Sequence, residues 1–305
     1  MKRTLILCIL SFLLLTSCSA AQTTISQQVE TQPEPTIAPA TPTTVPSDTP
    51  QPSPTPIPPT ETPLPPTFTA TAIPPTDTPP PPTVDIQAMI KSANIILFED
   101  MAYSRYIKKA LDEGGYTYTD VADRLGTFQK QLLSGTKWDL IIAAAEGRGG
   151  VAGEFFDYID QQLNGGSSVI LEIWILDWVV GGRIQPILDN CGIEFQSNWV
   201  NPSNRAAYWV DDNLPIANEP NVVSLGSFVN YWDGDVGDLV SLSPDSNAQI
   251  LASANESNAS RDGLITVCYD GRFLLQTFST HDHPEEIMVQ AWQNYIYYML
   301  SNRYK

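Results

Sequence analysis

Residues 138–163 read WDLIIAAAEGRGGVAGEFFDYIDQQL, and three kinds of pattern follow one another in that stretch. From Leu140 to Ala145 the run is apolar without alternation, as suits a central strand covered on both faces. Gly147, Gly149 and Gly150 then mark a tight turn. After it Phe155, Ile159 and Leu163 recur at helical spacing until Gly165-Gly166 stops the pattern. Strand, tight turn and amphipathic helix make half of a βαβ unit.

The same unit repeats on either side. Ala93–Glu99 is a short apolar run of strand type, and Tyr103–Glu113 follows with Tyr106, Ile107, Ala110 and Leu111 on one helical face. Tyr116–Val121 predicts a second strand and Thr127–Leu133 a short helix. Downstream, Ser168–Trp174 predicts a strand and Val180–Asn190 a helix that leads through Gly192 to a strand at Ile193. Asn213–Asn258, rich in Pro, Asn, Asp and Ser, is expected to form long surface excursions. Leu264–Tyr269 and Arg272–Phe278 predict a β-hairpin across Asp270-Gly271, because that pair supplies positive φ. Pro284–Arg303 predicts a closing amphipathic helix. Short connections in this order predict an α/β fold. Its sheet should be open and mostly parallel, with helices on both faces and a C-terminal hairpin and helix.

The chain before this domain differs in kind. Residues 1–18 carry Lys2 and Arg3, then an apolar run from Leu5 to Leu15, too short for the ~20 residues of a spanning helix. Leu15-Thr16-Ser17-Cys18 resembles the bacterial lipoprotein box, which implies cleavage before Cys18 and acylation of that cysteine through diacylglycerol and palmitate-type chains. Residues 19–85 hold 20 of the chain's 26 prolines and no Lys or Arg. Such a segment buries too little apolar surface to fold and is biased to polyproline II. Fifty residues of it would reach on the order of 150 Å. The expected organisation is therefore a signal segment at 1–18, a disordered linker at 19–85 and a domain at 86–305. The expected location is the extracytoplasmic face of a cell membrane.

Charge and cysteines narrow the function classes. The chain has a net charge of −18, and residues 86–305 hold 14 Lys/Arg against 28 Asp/Glu, which excludes a basic nucleic-acid face. Cys191 and Cys268 lie in an oxidising compartment, where they either pair or stay as buried thiols.

The layout from Asn94 to Asn302 resembles the class I glutamine amidotransferase-like fold in its divergent, trehalose-utilisation-like branches. The landmarks are strand Ile95–Phe98, the Gly-rich turn after Asp139–Ala145, and DGRFLLQTF running into a helix that ends WQNYIYYML. The resemblance implies a nucleophilic cysteine on a sharp turn after the fourth strand, with His and Glu partners. Trp174-Ile175-Leu176-Asp177 stands there instead. Without a nucleophile at the elbow, acyl transfer is not expected.

Open α/β sheets take ligands at the carboxyl ends of their strands. Glu99, Asp100, Glu146 and Asp177 fall there, as do Gly147 and Gly149 of the turn. His281 and His283 join them if the last strand is parallel. No cofactor is expected, although two imidazoles with carboxylates would suit a divalent metal. The competing account of 279-STHDHPEE-286 is a helix start, with His283 as N-cap, Pro284 first and Glu285 and Glu286 complementing the dipole by ~0.3–1 kcal/mol each. Gly147–Ala152 also matches G-x-G-x-x-A, but it follows the third strand, so it suits an anion-facing turn or plain packing better than a dinucleotide. Trp174, Trp178, Trp199, Trp209 and Trp232 either stack on a glycan or anchor loops.

These observations predict a membrane-anchored lipoprotein whose non-catalytic domain binds a ligand or partner, with cell-wall or glycan contact among the partners. The alternative is a metal-assisted or carbohydrate-processing enzyme using His281, His283 and nearby carboxylates.

Overall fold

The computed structural model describes residues 85–147, 151–230, 232–257 and 260–305. Cys18, the linker up to residue 84 and Gly149 lie outside these residues. Asp85 accepts a hydrogen bond from the Ala88 amide at 3.0 Å and so caps the first helix. The elements then run α1 (Ile86–Lys91), β1 (Ile95–Glu99), α2 (Tyr106–Glu113), β2 (Tyr118–Asp120), α3 (Leu125–Leu132), β3 (Leu140–Ala144), α4 (Glu154–Asn164) and β4 (Ser168–Glu172). A 3-10 turn at Leu176–Trp178 and α5 (Gln185–Cys191) replace the single helix expected from Val180. There follow β5 (Ile193–Val200), β6 (Ala206–Trp209), α6 (Pro215–Asn218), β7 (Gly226–Ser227), β8 (Asp235–Leu242), β9 (Gln249–Ser253), β10 (Gly263–Cys268), β11 (Phe273–Gln276) and α7 (Glu285–Tyr304).

Strands β2, β1, β3, β4 and β11 are neighbours in that order and all parallel. β1, β3 and β4 are buried at every residue, and their successive side chains enter two different cores. Ile95 and Leu97 pack towards α1, α2 and α7, while Ile96 and Phe98 pack towards α3, α4 and α5. This is why the sequence of these strands shows no alternation.

β10 pairs antiparallel with β11, and β9, β6 and β7 continue the sheet beyond it. β8 joins β10 at Gly263 and carries β5 along its other edge. Much of 213–258 is therefore sheet rather than irregular excursion. Asp, Asn and Ser within and between these strands hide their apolar positions, as in β8, whose Val236 and Val240 are buried. Gly237 in β8 has φ 141°, and a Cβ there would lie 2.3 Å from the Thr277 carbonyl oxygen. Only glycine lets β8 pass so close to the end of β11.

The hairpin turn is longer than a two-residue loop, with Tyr269, Asp270 and Gly271 all at positive φ. Cys191, at the end of α5, forms a disulfide with Cys268 at the end of β10 across 77 residues, with Cα atoms 5.7 Å apart. Of the two states open to these cysteines, the paired one is found. α7 begins one residue later than expected, with Pro284 as its cap residue and Glu285 and Glu286 in its first turn. Its middle is buried, and Gln87 of α1 donates to the Tyr297 hydroxyl at 2.8 Å. Among the described residues no helix is long and apolar enough to cross a membrane.

Candidate functional site

Beyond the carboxyl ends of the parallel strands lies a crevice of about 680 Å³, lined by Met101, Glu146, Gly147, Trp174, Asn230, Trp232, Ser279, His281 and Asp282. Its size is that of ordinary small-ligand pockets. β1, β3, β4 and β11 each end at its rim, so four loops converge there. A fifth wall comes from the segment before β8. The amides of Val229 and Asn230 both donate to the Asp282 carbonyl oxygen, at 2.7 and 3.1 Å, and this lays Asn230 and Trp232 over the crevice. Trp232 remains 64% exposed.

Glu146 is the centre of the polar groups. Its Oε2 accepts from Ser279 Oγ at 2.5 Å, and its Oε1 lies 2.7 Å from His281 Nδ1. Trp174 Nε1 donates to its backbone oxygen at 2.7 Å. His281 Nε2 meets the Ser104 carbonyl oxygen. Both ring nitrogens of His281 thus face acceptors that hold no proton of their own, and only the doubly protonated ring satisfies both. Burial pulls this imidazole down, but the hydrogen bond and charge of Glu146, then the Ser104 carbonyl and the Glu99 charge, leave it above its ordinary value. Tyr106 covers the ring at 4.3 Å between centroids.

Behind Glu146 stands Glu172, fully buried at the end of β4. Its Oε1 accepts from the Thr280 amide at 2.6 Å and from Gln276 Nε2 at 3.1 Å. Its Oε2 meets no donor among the described residues. Burial first, then the Glu146 charge and a hydrogen bond shared with that carboxylate, raise Glu172 well above the usual carboxylate range.

The expected site residues separate on this geometry. Glu146, Gly147 and His281 come together at the crevice. Glu99 does not line it. Its carboxylate accepts from the amides of Ile107 and Lys108, at 2.9 and 3.2 Å, and from Arg105 Nε at 3.1 Å, so it closes the start of α2. Burial nevertheless pushes it up to about 7. Asp100 holds the turn after β3, accepting from the Glu146 and Gly147 amides at 2.9 and 2.7 Å. The Gly147 amide is thereby engaged within the protein rather than offered to an external anion.

His283 points elsewhere. It is 1% exposed and packs against Phe228 and Phe278, at 4.0 and 5.3 Å between centroids. Burial drives it down to about 4, so it is a neutral core residue at neutral pH. The two imidazoles do not converge, and among the described residues no group of three or more His, Cys, Asp or Glu side chains is arranged to hold a metal ion. Asp177 is tied to β8 and β5, its amide donating to Asp238 Oδ2 at 2.9 Å and its carboxylate accepting from Asn198 at 3.0 Å. Trp199 and Trp209 are buried anchors, and Trp209 Nε1 donates to the Val223 carbonyl oxygen at 2.8 Å.

Sequence reasoning missed Met101, Glu172, Asn230 and Ser279. A glutamate inside the strand SVILEIW, where every neighbour is apolar, is the one pattern that would have exposed Glu172.

No protein-family model and no curated protein sequence matches the chain. Solved structures that it is similar to include Agd3, a carbohydrate deacetylase, at 13% identity and TM-score 0.40, covering 67% of this chain and 32% of that one. The chain thus corresponds to about a third of Agd3's length, 32%. A glutamine amidotransferase from Thermotoga maritima aligns at 13% identity and TM-score 0.36, over 62% of this chain and 76% of its own. The glutaminase domain of Trypanosoma brucei CTPS aligns at 11% identity and TM-score 0.37, over 69% and 94%. Glutamine amidotransferase-like folds therefore stand among the solved structures that this chain is similar to.

Proposed function

We propose that this chain is a lipid-anchored binding module, held to a membrane through Cys18, spaced by residues 19–85, and taking a small ligand in the crevice of its amidotransferase-like domain. The observation that carries the reading is the make-up of the crevice. Two tryptophans, Trp174 and Trp232, and Met101 supply apolar surface beside a few fixed polar groups, as small-ligand sites do. The polar groups are already engaged with one another: Ser279 donates to Glu146, and both His281 nitrogens have acceptors. A general base needs a free lone pair and a nucleophile needs a base beside it. The turn Trp174–Asp177 holds no Cys, Ser or Thr to act as that nucleophile.

A fragment library screened by thermal shift tests the crevice. Hits that raise the melting temperature of the wild-type protein are expected to lose that effect in Trp232→Ala, whose exposed side chain is not needed for folding. Hits indifferent to this substitution would place the binding surface elsewhere. Cys18→Ala is expected to move the protein from membrane to soluble fractions, and a variant still sedimenting with membranes would overturn the anchor.

A further inference from the structure

Large apolar side chains reach the solvent mainly at one end of the domain. Leu133, at the end of α3, and Val222, beside the middle of α7, are exposed elsewhere. The other exposed large apolar residues among those described are Met101, Tyr103, Trp178, Val200, Val229 and Trp232, and all six belong to the crevice end. Met101 and Tyr103 follow β1, and Trp178 ends the 3-10 turn after β4. Val229 and Trp232 sit in the segment laid over the crevice. Val200 closes β5, where it pairs with Asp235, and Asp235 also bridges Trp232. The Asp177 carboxylate accepts from Asn198, two residues before Val200, so the neighbouring Trp178 meets the same strand roughly 7 Å away. Met101 and Trp232 line the crevice, and the other four form a lip outside it.

Single exposed apolar residues are ordinary, but a gathered patch marks a contact face. Trp, Tyr and Met are the residues enriched in the cores of protein–protein interfaces. A glycan would use the aromatic rings and leave Val200 and Val229 uncovered. Residues 86–305 hold 14 Lys/Arg against 28 Asp/Glu, so a second copy of the chain or an anionic lipid surface would meet like charge. We propose that this lip docks a basic protein, whose apolar side chains cover Trp178, Val200, Val229 and Trp232. Lys and Arg set around those side chains answer the acidity of the domain and steer the encounter. The exposed indoles are the expected anchors of the contact. This inference goes beyond the crevice reading and does not depend on what the crevice holds.

A random peptide library displayed on phage, selected on the detergent-solubilised full chain, tests the proposal. The enriched peptides are expected to combine Lys or Arg with apolar residues. Synthetic copies should bind at least about tenfold more weakly to the double variant Trp178→Ser with Val229→Ser, and more weakly as salt rises. Both side chains are exposed and outside the crevice lining, so fragments that occupy the crevice should still raise that variant's melting temperature. No enrichment, peptides without a basic residue, or peptides indifferent to the double variant would each overturn the proposal. So would a dimer that the double variant breaks, or cellohexaose or phosphatidylglycerol vesicles bound by the wild-type chain alone, since each gives the lip another occupant. Fragment hits indifferent to Trp232→Ala would sink the crevice reading and leave the docking lip standing.

Discussion

His281 and His283 are two residues apart, and the environment sends their proton affinities in opposite directions. His281 lies between the Glu146 carboxylate and a carbonyl oxygen and is raised, whereas His283 lies between two phenylalanines and falls to about 4. A raised base stabilises the fold below its unfolded pKa of about 6.5 and loses that contribution as pH rises through its folded value. A depressed base does the reverse, contributing above about 6.5 and losing the contribution as pH falls towards 4. NMR titration of the two imidazoles is expected to show His281 titrating above 6.5, and His283 silent from pH 5.5 to 8. Glu146→Gln should bring His281 down, and two ordinary curves near 6.5 would contradict the assignment. Zn²⁺, Mn²⁺ and Ca²⁺ are expected to leave the melting temperature unchanged, because His283 faces the core. An imidazole dyad with nearby carboxylates was legible in STHDHPEE. Which ring turns inward was not, because Phe228, which decides it, arrives from a segment 55 residues earlier.

At the scale of elements, the parallel strands and their helices were readable because each buries one continuous pattern. The antiparallel extension was not, because Asp, Asn, Ser and Gly interrupt the apolar pattern of its strands, as in DVGDLVSL of β8. Their positions depend on partners far along the chain. Asn294 in α7 is one such partner, fully buried, donating to the carbonyl oxygens of Ile216 and Asn221 and accepting from the Asn221 amide. It fastens the segment around α6 to the closing helix. Asn294→Ala should cost about 2–3 kcal/mol, as left-over buried polar groups do, measured by chemical denaturation. A loss below ~0.5 kcal/mol would show that water replaces the amide. The Cys191–Cys268 bridge ties α5 to the hairpin, and its removal as Cys191→Ala with Cys268→Ala should lower stability by ~2–4 kcal/mol. An unchanged denaturation midpoint under reducing and oxidising conditions would refute that contribution.

For the whole molecule, several carboxyls share one direction of shift. Burial raises Glu99 and Asp282 to about 7 and Asp238 to about 8, and lifts Glu172 well above its ordinary range. The folded state therefore binds more protons than the unfolded one from about pH 4 to 8, and stability falls as pH rises. Each tenfold change in proton affinity is worth about 1.4 kcal/mol, so the sum outweighs the opposing pull of His283 below pH 6.5. Thermal unfolding is expected at higher temperature at pH 5 than at pH 8, and the reverse order would sink this account. An acidic composition was visible at once in the sequence. That burial raises the proton affinity of some of its acids was not, because nothing local distinguishes Asp238 or Asp282 from a solvated aspartate.

The seat of α1 on α7 also sets where a pull on the start of the domain is borne. α7 starts beside the crevice and runs away from it, so Tyr297, where Gln87 is bonded, lies about 18 Å along the helix from Glu285. α1 is thus seated about three turns along α7 from the start of that helix. A pull on α1 would be borne by its contact with α7 and by β1, which is held between β2 and β3.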